Sequence, residues 1–305
     1  MDVILFDGEG KRKQARHFDE IEANNKTRSH FGILNIHTER GMIGLGNSLG
    51  RPLETDGVMT LNSRDGNVVL GGDIHAHMLD FSSERGSIRL LKDAKVQAWR
   101  EGTFKVNNGH IFMEEGSLVR GTTLKASTQN GMIDSAGRGI DRGTWYANHS
   151  LTLETQNGRI GANIGIEKPQ MYGFRPEKTQ GGYPKMVSVQ ASTQNGQVDI
   201  AYISQAEDTP VDLTAKSANG AVSVKLDPHF VGKVHLEGSG GSSVDPSKKL
   251  SDVDGQKRTL QLDTKKEGWT RVISDGHVTR DKAKEIGDQS SVKLFSDNGK
   301  AKLNL

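Results

Sequence analysis

One six-residue segment occurs twice in this chain without a change. Residues 126–131 and 191–196 both read Ala-Ser-Thr-Gln-Asn-Gly, and residues 153–158 differ from them only at the first two positions. In each copy an alternating strand ends at Thr, Asn-Gly follows after one residue, and a β-branched residue stands two positions beyond the Gly. A repeated segment of this kind requires several copies of one turn in equivalent surroundings.

The Asn-Gly pair predicts a tight turn with two consecutive residues at positive φ. Gly lacks a Cβ atom and Asn tolerates the left-handed region, so both residues are suited to that backbone. The β-branched residue that follows predicts a return to a half-buried strand. The same frame, with a less regular turn, is centred on Gly41, Gly66, Gly86, Gly109, Gly220, Gly276 and Gly299.

The spacing of these glycines predicts the fold class. From Gly41 to Gly158 the steps are 25, 20, 23, 22 and 27 residues, and Gly196 to Gly220 is 24. A period in this range is typical of a solenoid, whose repeats bury their apolar faces against neighbours. We therefore predict an all-β, single-stranded β-solenoid (β-helix) with coils of about 20–27 residues. The alternative is an antiparallel meander in which Asn-Gly closes hairpins.

Composition supports a narrow core and limits the partners. Hydrophobic residues make up 33% of the 305-residue chain and aromatic residues 5%, whereas there are 37 glycines. The formal net charge is +2, which gives no reason to expect nucleic acid or an anionic membrane as a partner. Cysteine is absent, so disulfides and thiolate metal sites are excluded.

The first apolar run, residues 3–6, is shorter than the apolar core of a signal peptide. No segment approaches the ~20 apolar residues of a membrane-spanning helix. These two observations favour a cytoplasmic location and predict no membrane span.

Three regions follow from the distribution of repeats. Residues 1–30 depart from the pattern and are predicted to cap the open end of the repeat domain. Residues 31–241 are predicted to form the solenoid, interrupted by an insertion at 167–184. Residues 242–305 are predicted to be a flexible loop followed by strands that close the solenoid, with one helical turn at 281–288.

The insertion is the candidate binding segment. It contains three of the seven prolines, together with Tyr172, Phe174, Arg175 and Tyr183. Long surface insertions often carry binding residues. The same aromatic residues also suit a flap packed over a strand. Both interpretations remain open at this point.

The repeats resemble adhesin-like β-solenoid families of unknown function, found in bacterial and fungal proteins. Their pattern is a strand followed by Ser/Thr-x-Asn-Gly-x-Ile/Val, and the best matches are residues 124–133, 151–160 and 187–241. The resemblance covers most of 31–241 and implies an interaction role. It implies no catalytic residues.

His75 and His77 are the candidate metal ligands. Their spacing on a predicted strand places both imidazoles on one face, which Asp73 shares. Two His and a carboxylate can ligate zinc or iron, but a third protein ligand is needed, and His110 is the candidate by repeat position. The alternative interpretation is a solvated polar strand face.

Two further groups of polar residues are candidate sites. Asp134, Arg138, Asp141 and Arg142 are close enough in sequence to suggest glycan cleavage, if they converge on one face. The Ser or Thr three residues before most repeat glycines could form a binding ladder, but hydrogen bonds to the backbone explain it without a ligand.

We therefore expect a non-enzymatic scaffold that binds a protein or glycan partner and needs no cofactor. The alternatives are a glycan-active enzyme, either polysaccharide lyase or hydrolase, on a β-helix, and a protein that self-assembles through exposed strand edges.

Overall fold

The fold is all-β, as predicted. The computed structural model describes residues 2–6, 12–14, 29–46, 52–136, 143–167, 186–206, 209–245, 258–268, 270–280 and 290–305. About three quarters of the structure is β-strand, in a large mixed sheet arrangement, and no helix occurs among these residues. The same residues include no helix of the length and apolar character needed to cross a membrane.

The chain divides into two compact units, residues 1–145 and 146–305. The described part of unit 1 contains twelve strands and the start of a thirteenth. They are β1 (Asp2–Phe6), β2 (Arg12–Gln14), β3 (Ser29–Arg40), β4 (Ile43–Gly46), β5 (Leu53–Asp65), β6 (Val68–Leu70), β7 (Asp73–Arg85), β8 (Ile88–Leu90), β9 (Lys95–Asn108), β10 (Ile111–Met113), β11 (Leu118–Asn130), β12 (Ile133–Asp134) and β13 (Thr144–Asn157).

From β3 to β10, each strand of unit 1 pairs in parallel with the strand two elements later. The long strands β3, β5, β7, β9 and β11 form one parallel ladder in that order. The short strands β4, β6, β8, β10 and β12 form a second one. The strands on either side of a repeat turn therefore pair with neighbouring repeats, and the antiparallel meander is wrong for them.

The register stacks apolar residues into columns. Leu61, Phe81 and Phe104 are opposite one another in successive strands, and all three are fully buried. Phe104 contacts Phe81 and Trp145 edge to face, with ring centroids 5.5 Å apart in both pairs. Burying each aromatic side chain contributes roughly 1.5–3 kcal/mol. The core of unit 1 is thus a stack of equivalent positions.

Unit 2 contains the rest of β13 and eleven further strands. They are β14 (Ile160–Ile166), β15 (Val187–Asn195), β16 (Val198–Gln205), β17 (Val211–Ser217), β18 (Val222–Lys225), β19 (Gly232–Gly238), β20 (Ser242–Asp245), β21 (Arg258–Glu267), β22 (Arg271–Arg280), β23 (Ser291–Ser296) and β24 (Ala301–Asn304).

The end of the chain is inserted out of order in unit 2. β23 lies between β17 and β19 and pairs with both in parallel. β24 likewise lies between β18 and β20. Leu213, Val292 and Val234 then form one buried column, although they come from three distant parts of the sequence.

The Ser or Thr three residues before six of the repeat glycines has a structural role. Its hydroxyl donates a hydrogen bond to the carbonyl oxygen of the glycine in the adjacent repeat, as in Thr193 to Gly158 (2.9 Å) and Ser217 to Gly196 (2.7 Å). Ser63, Ser83, Thr128 and Ser296 make the same bond. These hydroxyls are buried. The backbone hydrogen-bond explanation is confirmed, with the acceptor in the neighbouring repeat.

Glycine is needed in the turn because successive turns approach each other closely. A Cβ atom on Gly196 would lie 2.0 Å from the Gly158 oxygen, and one on Gly220 would lie 1.9 Å from the Gly196 oxygen. The prediction of two consecutive residues at positive φ is wrong. Within the described ranges Asp93 alone among non-glycine residues has a positive φ.

The asparagines of the turns bond to one another. In unit 2 the Nδ2 atom of Asn195 donates to Asn157 Oδ1 at 2.7 Å, and Asn219 donates to Asn195 at 2.8 Å. Asn298, from the inserted end of the chain, continues the series by donating to Asn219 at 2.7 Å. Asn130 and Asn108 form the same bond in unit 1. Asn is favoured at this position because its side chain carries both a hydrogen-bond donor and an acceptor.

Antiparallel strands lie at one end of the ladders in each unit. In unit 1, β1 pairs antiparallel with β4 and with β2. In unit 2, β22 pairs antiparallel with β19, and β21 is the strand beyond it. The predicted helical turn at 281–288 and most of the predicted cap lie outside the described residues, and the domain boundaries at 30 and 241 stay predictions.

Candidate functional site

The predicted binding segment cannot be placed. Tyr172, Phe174, Arg175 and Tyr183 lie outside the described residues, so the choice between a binding loop and a packed flap stays open. Of the residues suggested for glycan cleavage, Asp134 is described, at the end of β12, and the other three are not.

His75 and His77 are both in β7, but they pair differently with the neighbouring strands because a β-bulge lies at His77. His75 is opposite Glu54 of β5 and Gln97 of β9. His77 falls between Ala76 and Met78, where the register with both neighbours shifts. A bulge interrupts the alternation of side chains that the prediction assumed.

The third ligand expected for that metal site is engaged elsewhere. His110 follows β9 in a repeat turn, and its Nδ1 accepts a hydrogen bond from the backbone N–H of Met132 at 3.0 Å. Among the described residues, no three His, Cys, Asp or Glu side chains are grouped closely enough to hold a metal ion. The structure therefore gives this predicted site no third ligand within those ranges.

A different set of ionisable residues is brought together in unit 2. β17, β23, β19 and β22 lie side by side, and their outward positions form three rows across the sheet. We call this surface the outer face of unit 2. It consists of Asp212, Ser291, Lys233 and His277, then Thr214, Lys293, His235 and Asp275, then Lys216, Phe295, Glu237 and Ile273.

His235 lies at the centre of this face and is held from three sides. Its Nδ1 atom is 2.7 Å from Asp275 Oδ1, and its Nε2 atom is 3.8 Å from Glu237 Oε2. The imidazole also packs against the ring of Phe295, with centroids 5.4 Å apart. Glu237 accepts a further charge-assisted hydrogen bond from Arg271. Such bonds are stronger than neutral ones and fix side-chain positions.

A second group ties the inserted strand to its neighbour. Ser291 donates a hydrogen bond to Asp212, and Lys293 Nζ lies 3.7 Å from the same carboxylate. The charges of the outer face are thus largely paired with each other across adjacent strands. This arrangement presents an ordered polar surface with one aromatic ring.

Sequence reasoning missed this face. His235 and Glu237 have the same two-residue spacing that drew attention to His75 and His77, so half of the pattern was visible in the sequence. Asp275 and Lys293 come from strands 40 and more residues later in the chain, and only the observed register brings them to His235.

Comparison with known proteins places the chain in a family without a known role. A search among curated proteins and one among solved structures give no match. A family model described as a domain of unknown function (DUF7330) matches residues 140–304, which is 165 of the 305 residues. Nothing found links that family to adhesins. The chain belongs to the DUF7330 family, a domain of unknown function.

Proposed function

We propose that the protein is a non-enzymatic β-solenoid scaffold of adhesin-like type that binds a protein or glycan partner through the outer face of unit 2. The series of bonds from Asn157 through Asn195 and Asn219 to Asn298 carries the proposal. Equivalent side chains that bond in series are expected when repeats stack along one direction. The parallel pairings β5–β7, β7–β9 and β15–β17, whose paired residues lie 20 to 24 positions apart, support the same architecture.

The chemistry of the outer face favours binding over catalysis. His235 is hydrogen-bonded to Asp275 and lies 3.8 Å from Glu237, which accepts a hydrogen bond from Arg271, so each of these ionisable side chains already has a partner. A flat sheet surface with fixed charges and the ring of Phe295 can offer complementary charge and a stacking surface to a partner. A partner would bind through polar contacts with this ordered surface, and such binding requires no cofactor.

The test is a binding screen with a matched pair of variants. Wild-type protein is screened on a glycan array and against immobilised surface proteins, and each positive is measured by surface plasmon resonance. We expect the double variant His235→Ala with Phe295→Ala to bind at least tenfold more weakly, because it removes the centre of the face. His75→Ala, on the outer side of unit 1, should bind like the wild type.

Two results would contradict the proposal. Binding that is unchanged in the double variant, but lost when residues 168–184 are deleted, would assign the site to the insertion. Release of reducing ends or of unsaturated sugars from a polysaccharide by the wild type would favour the alternative of a glycan-active enzyme.

A further inference from the structure

Two arginines face each other at the open end of the β21–β22 hairpin. Arg258 is the first residue of β21 and Arg280 is the last residue of β22, and the register places them directly opposite. Opposite residues of an antiparallel pair project to the same face, with Cβ atoms about 4.5–5.5 Å apart. The two guanidinium groups therefore share one side of the hairpin.

Arg258 is buried although its donors are incompletely used. Its side chain is 4% exposed, and its Nη2 atom donates a long hydrogen bond of 3.3 Å to the Phe230 carbonyl. The Nε atoms of Arg258 and Arg280 are both buried and have no partner in the described part of the chain. A buried donor without an acceptor is destabilising, and arginine cannot avoid this by losing its proton.

The nearby negative charge does not balance the two arginines. Asp227, which is buried, is the carboxylate that interacts with Arg258. Its Oδ1 atom already accepts from the backbone N–H of His229 and contacts that residue's Nδ1, at 2.8 and 2.7 Å. Burial lowers the pKa of Arg258, Asp227 opposes this, and Arg280 lowers it further. Among the described residues the cluster therefore has more positive than negative charge.

We propose that Arg258 and Arg280 form a binding site for a compact oxyanion of the phosphate or sulfate class. A guanidinium group offers paired N–H donors whose spacing matches such an anion, and two opposed groups can donate from two sides. The anion would supply acceptors for the unused donors and would neutralise the excess charge. This inference is independent of the proposed scaffold role.

Thermal unfolding with three probes tests the site. Sodium phosphate, sodium sulfate and a sulfated disaccharide are compared with sodium chloride at equal ionic strength. A ligand that binds the folded state raises Tm with its concentration, and we expect a rise of about 3 °C or more for at least one probe. Sulfate and phosphate also stabilise folded proteins by exclusion from their surface, so a rise with the inorganic salts indicates a bound free anion where Arg280→Gln reduces it, whereas a rise with the sugar alone indicates a group carried by a glycan.

Variants show whether the two arginines are responsible. Arg280→Gln is expected to weaken binding at least tenfold in titration calorimetry. Arg159→Gln is the matched control, because the Nε atom of Arg159 is also buried without a partner among the described residues, whereas its Nη2 atom pairs with Asp199 at 2.9 Å. Arg258→Lys keeps the charge, removes the fork, and should also weaken binding if it folds. No rise in Tm above the chloride reference, or equal weakening by Arg280→Gln and Arg159→Gln, would overturn the proposal.

Discussion

Both units contain parallel ladders of strands, but the order of the strands along the ladders differs. In unit 1 the ladder β3, β5, β7, β9, β11 follows the order of the sequence. In unit 2 β23 lies between β17 and β19, and β24 lies between β18 and β20, so residues 79 positions apart become neighbours. The contact itself is unchanged, because Asn298 bonds to Asn219 as Asn219 bonds to Asn195.

This difference separates two properties of the repeat. The Asn, Gly and Ser/Thr positions determine how one repeat contacts the next. In unit 2 they do not determine which repeat comes next, because Asn195, Asn219 and Asn298 present the same donor and acceptor groups. The order of stacking must therefore depend on the connecting segments and on the fit of particular core residues.

The largest effect is expected from deleting residues 290–305. The deletion removes the partner that β17 and β19 share, together with the buried side chains of Val292, Leu294 and Leu303. At roughly 1.5–3 kcal/mol for each side chain, the loss is comparable with the whole stability of a typical domain. We expect β17, β19 and β22 to lose protection in hydrogen exchange, while β5 to β9 keep theirs.

The same deletion tests whether the inserted strands are needed for the order of stacking in unit 2. Leu213 and Ala215 of β17 are buried and alternate with outward residues, as Val234 and Leu236 of β19 do. If β19 keeps its native protection without residues 290–305, it has paired directly with β17. The inserted repeat would then be dispensable, and the order of stacking in unit 2 would not depend on it.

The second largest effect is expected from Gly196→Ala. The new Cβ atom would lie 2.0 Å from the Gly158 oxygen, so the backbone of two repeats must separate. We expect a loss of about 3 kcal/mol in the free energy of unfolding, measured by denaturant titration. Gly66→Ala in unit 1, where the Cβ atom would lie 1.7 Å from Gly41, should behave alike.

Gly46→Ala is the matched control for both substitutions. A Cβ atom at that position has no neighbour within 4 Å, so stability should change by less than about 0.5 kcal/mol. A similarly small effect at Gly196 would mean that the turns can separate freely. The stacking contact would then not be what the two units have in common.

These glycines also mark the limit of what the sequence predicts. The repeat frame correctly predicted an all-β chain and a turn at most of the repeat glycines, because turn residues and strand alternation are local properties. It was wrong at Gly276, which lies inside β22 and is paired with Val234 and Leu262. It gave the wrong reason for the glycine. The collision with Gly158 in the case of Gly196 depends on a contact between repeats, which no local pattern contains.

The site was less predictable than the fold for a related reason. His235 and Asp275 meet only through the antiparallel register of β19 and β22. The bulge at His77 arises because neighbouring strands accommodate different numbers of residues at the same corner. Both features depend on pairings between distant segments, and alternation within one strand does not reveal them.

A smaller effect is expected from Asn195→Asp. The substitution removes the Nδ2 donor and places a carboxylate against the Asn157 oxygen that it served. We expect a loss of about 1 kcal/mol in the free energy of unfolding. Gln197→Glu adds the same charge at an exposed position two residues away and is expected to be nearly neutral. Equal effects of the two changes would indicate that charge alone is responsible.

The smallest effect concerns the charges that join successive repeats of unit 1. The pKa of Glu39 lies below its usual range, first because of its hydrogen bond with His37 and then because of Arg64. A depressed carboxyl pKa stabilises the fold at pH values above the unfolded pKa, and the contribution is lost as pH falls through the folded pKa. Because Glu39 is fully exposed, we expect its contribution to the free energy of unfolding to be small. The pKa of its side chain is therefore the more sensitive quantity to measure.

NMR titration of the Glu39 side chain provides that measurement. His37→Ala should raise its pKa towards the usual value, Arg64→Ala should raise it less, and the double variant should raise it most. Arg85→Ala is the control, because Arg85 pairs with Asp65. In unit 1 these charges link neighbours in sequence order, so a Glu39 pKa that follows Arg85 rather than Arg64 would contradict the observed register. The corresponding pair in unit 2, Lys293 with Asp212, would then need the same test.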